Sequence, residues 1–160
     1  MVSVYLICVG KLKEKFYLDA CQEYLKRLKG YCKLTLVEIP EAKLPQSPSL
    51  GEIAAALDKE GEAIRAKLPS GGTLVALCVE GQEKSSPELA EFVQIFQNSG
   101  GKHLVFLIGG SYGLHPSIKA ESKLRLSMSP MTFPHHLARV MVLEQIYRAF
   151  KINEGSSYHK

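Results

Sequence analysis

Tryptophan is absent from the 160 residues, and cysteine occurs four times. The apolar run at residues 4–9 is far short of the roughly 20 residues that a bilayer span requires. No basic leader precedes it, so the expectation is a cytoplasmic protein with no membrane partner. Cys8, Cys21, Cys32 and Cys78 are widely spaced, with no Cys-x-x-Cys pair and no matching histidine spacing for zinc. They read as reduced thiols packed as small hydrophobes, and no metal is expected. Repeats and low-complexity tracts are missing too. With 46% apolar and 22% charged residues, the composition excludes disorder and collagen. A chain of this length removes roughly 70% of its unfolded surface from water, enough for one core without staples. One domain over residues 1–160 is therefore expected.

The formal net charge of +4 conceals an uneven distribution. Residues 1–33 carry seven Lys/Arg against three acids, residues 34–100 five against ten, and residues 101–160 eight against three. All five histidines lie in the last segment. Such asymmetry suits a basic surface that meets phosphates, although solvated lysines give the same count.

Apolar runs and helical stripes alternate along the chain. Residues 2–9 read as a strand, and Phe16, Tyr17, Ala20, Cys21, Tyr24, Leu25 and Leu28 mark a helix that Gly30 would cap. Residues 31–39 form a second strand. Ser49 with Glu52 makes a capping box for the next helix. A strand at 73–79, a helix opened by Ser85-Ser86-Pro87-Glu88, a strand at 103–108, a short helix from Pro116, a strand at 124–127 and a helix at 135–152 follow. Central strands apolar on both faces imply an α/β fold, a parallel sheet of about five strands with helices on both sides. Ligands of such sheets sit beyond the carboxyl ends of the strands, which directs attention to three loops.

The first is Leu77-Cys78-Val79-Glu80-Gly81 and the second Gly109-Gly110-Ser111-Tyr112-Gly113. The third runs from Ser127 through Met128, Ser129, Pro130, Met131, Thr132 and Phe133 to Pro134. A dinucleotide fingerprint fails at Ser111 and Leu114, and no Gly-Lys-Ser/Thr loop exists, so neither nucleotide motif is present. The third loop is uncharged and stiffened by prolines. It suits a flat heterocycle beside a sulfur, unless Met131 and Phe133 merely plug the core. The last helix is apolar round most of its circumference, which suits burial or a homodimer interface. Its Glu144 and Arg148 are spaced for a surface i,i+4 pair. Beyond it, a polar tail ends in Tyr158-His159-Lys160, which composition alone reads as frayed.

Four motifs recur in order over the last 60 residues: Gly109-Gly110-Ser111-Tyr112-Gly113-Leu114-His115, the stretch from Leu126 to His135, Glu144-Gln145-Ile146-Tyr147-Arg148-Ala149-Phe150-Lys151-Ile152, and Tyr158-His159-Lys160. Together they closely resemble the SPOUT-class bacterial methyltransferases that methylate N3 of a pseudouridine in 23S, large-subunit, ribosomal RNA. The resemblance covers the whole chain in length and element order. It implies an α/β knot, with a C-terminal trefoil knot that frames a pocket for S-adenosylmethionine, and it overrides the general rarity of threaded chains. It also implies a homodimer and the assembled ribosome as partner. Carried over by position, Leu77, Gly109, Met128, Ser129, Pro130, Met131, Thr132 and Phe133 would contact the methyl donor. Tyr158 and His159 would hold the target base beside the partner subunit's pocket. Arg139, Arg148 and Lys160 would meet RNA.

Methyl transfer from a sulfonium asks the protein chiefly to align donor and acceptor, and the acceptor's N3 proton must leave. His159 is the first candidate to assist that loss, with His135 and His136 as competitors. Other readings are a SPOUT enzyme acting on transfer RNA, or a non-enzymatic RNA-binding accessory protein. A nicotinamide-dependent oxidoreductase is disfavoured by the failed fingerprint.

Overall fold

In the computed structural model, which describes all 160 residues, the expected alternation is realised throughout. The elements are β1 (Ser3–Val9), α1 (Lys15–Leu28), β2 (Lys33–Ile39), α2 (Leu50–Arg65), β3 (Thr73–Glu83), α3 (Ser86–Asn98), β4 (His103–Ile108), α4 (Pro116–Glu121), β5 (Leu124–Ser127) and α5 (His135–Asn153). All neighbouring strands pair in parallel, in the order β2-β1-β4-β3-β5.

Side chains alternate across a strand, and here both faces are covered. Val4, Leu6 and Cys8 of β1 join Phe106 of β4 in a core sealed by Cys21, Leu28, Val93, Phe96, Leu143 and Ile146 of α1, α3 and α5. Ile7 and Val9 face the other way with Val105 and Leu107, against Ile64 of α2 and Ile118 of α4. Burying each such side chain contributes about 1.5–3 kcal/mol. That is why the central strands read as continuous apolar runs.

Local signals held at both capping boxes. Ser49 Oγ accepts from the Glu52 N–H at 3.1 Å while Glu52 accepts from the Ser49 N–H at 3.1 Å, and Ser85 with Glu88 repeats the exchange. Two expectations are corrected. Lys29, in right-handed geometry, caps α1, and Gly30 does not take a positive φ. Strand β3 does not stop at Val79 but resumes after an irregularity and reaches Glu83, because Leu77 and Gln82 both pair with Leu126.

Candidate active site

The irregular stretch within β3 and the loops beyond the carboxyl ends of β4 and β5 enclose a crevice of about 260 Å³. Leu77, Cys78, Val79 and Glu80 supply one wall, Ile108 to Leu114 a second, and Met128, Ser129, Met131, Thr132 and Phe133 a third. Lys119, Leu126, His135 and Ala138 complete it. At Gly109 the middle wall has to be bare main chain. A Cβ on Gly109 would lie 2.3 Å from the carbonyl carbon and oxygen of Gly113, a separation no side chain tolerates. Gly113 turns the chain at φ +79°, and its N–H donates to the Gly110 carbonyl at 3.0 Å. Glu41, from the loop after β2, clamps this turn by accepting from the Ser111 N–H at 3.1 Å and its hydroxyl at 2.9 Å. Burial opposes ionisation of Glu41, yet the two Ser111 hydrogen bonds leave its pKa below the ordinary value.

The third wall holds its shape through its own polar groups. Ser127 Oγ donates to the Ser129 carbonyl at 3.0 Å, and Ser129 Oγ accepts from the Met131 N–H at 3.0 Å. Met131 is 72% exposed at the rim and so does not plug the core, whereas Met128 packs against it. Of the residues expected to contact a donor, Leu77, Gly109, Met128, Ser129, Met131, Thr132 and Phe133 line the crevice, while Pro130 lies in the loop and off the wall.

The tail is ordered, contrary to its composition. Gly155 takes φ +78°, its N–H donates to Ile152, and the Ser156 N–H donates to Lys151, a glycine-terminated helix end that turns the chain back along α5. Tyr158 then packs edge-on against Tyr147 at 5.1 Å, with the Arg148 guanidinium 4.8 Å from its ring centre. Glu144 accepts from Arg148 at 2.8 Å and, at 3.4 Å, from the Tyr158 hydroxyl. Arg148 also meets Nδ1 of His159 at 3.1 Å. Hydrogen bonding to Glu144 raises the Arg148 pKa further, and burial raises that of Tyr158. None of residues 153–160 lines the crevice of the same chain.

Arg139 does not reach the surface and is removed from the RNA-contact set. It is 1% exposed, and its guanidinium donates to Glu38 at 2.7 Å and to the Gly10 carbonyl at 3.1 Å, tying α5 to the ends of β1 and β2. Lys160 is exposed and Arg148 half-buried. Spacing suggested that Glu144 and Arg148 stitch a surface, but they organise the tail. The pattern also passed over Lys119 of α4, which reaches Glu80 at 2.7 Å. The hydrogen bond from Lys119 lowers the Glu80 pKa. His135 lies in the crevice wall, and burial, reinforced by the neighbouring His136, lowers its pKa.

The family profile described as "Predicted SPOUT methyltransferase" matches residues 2–159. The chain belongs to that family. This SPOUT methyltransferase is 43% identical over 159 residues to the ribosomal RNA large subunit methyltransferase H of Clostridium acetobutylicum, covering 99% of this chain and 100% of that one. It is 42% identical, at the same coverage, to the protein of that name from Bacillus cytotoxicus. A Methanococcus vannielii protein provisionally given the same name is 46% identical over 159 residues, 99% of this chain and 100% of that one. Among solved structures, the crystal structure of a probable methyltransferase from Bordetella pertussis aligns with a TM-score of 0.55 at 14% identity, over 92% of this chain and 95% of that chain, and shares the fold. No helix of this SPOUT methyltransferase is long and apolar enough to cross a membrane.

Proposed function

We propose that this SPOUT methyltransferase moves a methyl group from S-adenosylmethionine to N3 of a pseudouridine in 23S ribosomal RNA, acting in the cytoplasm as a single-domain homodimer on the assembled ribosome. The observation that carries the reading is the crevice of main chain and soft apolar side chains between the irregular stretch of β3 and the loops after β4 and β5, in a chain whose full-length relatives are named for large-subunit ribosomal RNA methylation. The reading brings with it the trefoil knot of the C-terminal segment.

The residues present fit the donor. The apolar walls at Leu77, Met128 and Phe133 suit adenine and the sulfur, and the glycine turn leaves amide and carbonyl groups open where a Cβ has no room. When bound, the donor supplies a methyl group already activated by the sulfonium. The chain's task is therefore alignment and exclusion of water, which can lower a barrier by roughly 7–11 kcal/mol. Glu41, Ser127 and Ser129 serve it by holding two crevice walls in one shape before anything binds.

N3 loses its proton to solvent as the base is bound, which leaves negative charge on the flanking carbonyl oxygens; N3 then bonds to the methyl carbon as the carbon–sulfur bond breaks and S-adenosylhomocysteine leaves. Tyr158 and His159 are proposed to hold the base there. Because Arg148 can only donate, Nδ1 of His159 accepts, and a neutral ring then carries its hydrogen on Nε2. His159 in this state donates to developing negative charge rather than taking a proton. The tail lies apart from its own crevice, which supports service to a second subunit's site. Leu137, Val140, Met141 and Tyr147, left half-buried on α5, support the homodimer.

Incubating the protein with isotope-labelled donor and assembled ribosomes, followed by mass mapping of the RNA, tests donor, substrate and position together. A methyl group on N3 of one 23S pseudouridine is expected. Transfer only to transfer RNA, or no transfer with no saturable donor binding, would overturn the reading.

A further inference from the structure

The register shift in β3 leaves residues 78–81 without a partner on β5, since Leu77 and Gln82 share one partner, Leu126. Bulges at sheet ends re-aim side chains. This one depends on Gly81, where a Cβ would lie 2.7 Å from the Arg125 carbonyl oxygen. The detour brings Glu80 into the crevice wall, where its carboxylate meets the Lys119 ammonium at 2.7 Å. Glu80 supplies the only carboxylate among the lining side chains, and Lys119 the only ammonium.

Resting on the donor reading above, we infer that Glu80 and Lys119 form the subsite for the amino-acid end of S-adenosylmethionine, Lys119 taking the α-carboxylate and Glu80 the α-ammonium. Adenine and ribose carry no charge and the sulfonium is a cation, so the α-carboxylate is the donor's one anion. Lys119 is its one full-charge partner in the crevice. A zwitterion placed between paired opposite charges exchanges one ion pair for two and adds no net charge to the site. The existing pair is partly exposed, with side-chain exposures of 25% for Lys119 and 61% for Glu80, so it opens readily. Glu80 has a second effect, offsetting the repulsion that an unaccompanied Lys119 would exert on the sulfonium.

Calorimetric titration of the full chain with S-adenosylhomocysteine and with 5′-methylthioadenosine isolates this end, because the two share the adenosine thioether and differ in the amino acid. Lys119→Ala is expected to weaken S-adenosylhomocysteine about tenfold or more while leaving methylthioadenosine within about twofold, and Glu80→Gln to act in the same sense. Retained methylthioadenosine binding shows that each variant is folded. Equal weakening of both ligands, or unchanged binding of S-adenosylhomocysteine, would overturn the subsite. Wild-type protein that binds both ligands equally well would remove the subsite and leave the donor reading intact, whereas wild-type protein that binds neither would remove both.

Discussion

Arg148 donates a hydrogen bond to Nδ1 of His159 at 3.1 Å while its Nε donates to Glu144 at 2.8 Å, so one guanidinium fixes both the place and the tautomer of the penultimate residue. A planar fork can serve two acceptors at once, which an ammonium on a flexible stem does not reproduce. Arg148→Lys should therefore lower single-turnover methyl transfer about tenfold or more, and His159→Ala about a hundredfold. The double variant should be no worse than His159→Ala alone, because both act through one unit. Donor affinity measured by calorimetry should stay unchanged in all three, and strictly additive losses would refute the coupling.

Gly109 has no room for a methyl group, which would lie 2.3 Å from the backbone of Gly113. Relief must come from moving the turn that forms the middle wall. Gly109→Ala should cost about 1–3 kcal/mol in denaturant unfolding and abolish most donor binding. Binding at wild-type affinity would show that the main chain there is not part of the donor site.

Arg139 supports the fold, not RNA. Removing it leaves the Gly10 carbonyl without this donor and Glu38 with only the Leu12 N–H, and Arg139→Met should lower stability by about 2–4 kcal/mol in chemical denaturation. The salt dependence of RNA binding, which counts phosphate contacts, should keep its slope. A shallower slope at unchanged stability would return Arg139 to the RNA-contact set.

Stability should fall in mild acid through His135. Its folded pKa lies below the ordinary 6.5, so the unfolded chain binds the proton more readily and stability drops as pH falls through 6.5 toward the folded value. His136 and Arg139 oppose protonation, and Glu41 and Glu14 favour it. Glu38 and Glu41, with pKa values lowered from 4.5, lose their contribution only below that pH. Thermal melts should show a decline as pH falls below 6.5 that His135→Gln flattens. A decline of equal size in the variant would assign it to another group.

Much of this architecture was legible because its signals are local. Capping boxes at Ser49 and Ser85 operate within one turn of helix, and apolar runs such as that of β4 announce burial on both faces. The crevice walls could be named because glycine and proline punctuate strand ends, and the residues proposed to face a donor came from the match of ordered motifs. Three features escaped. The ordering of the tail depended on Gly155, a single residue whose positive φ turns a polar segment back onto Tyr147 and Arg148. Arg139 sits in a helix where charge normally faces water, and only its partner 101 positions away in Glu38 explains its burial. Lys119 and Glu80 are 39 residues apart and carry no shared pattern.

The order and type of the elements, the two-sided sheet and the family of the chain were determined by sequence alone, since each rests on periodicity, caps or motifs read over a few neighbouring positions. Which charges are buried, which face the crevice and which hold the C-terminus were decided by tertiary structure. Those outcomes depend on distances between segments remote in the chain, and a side chain's surroundings exist only once the sheet has brought the segments together.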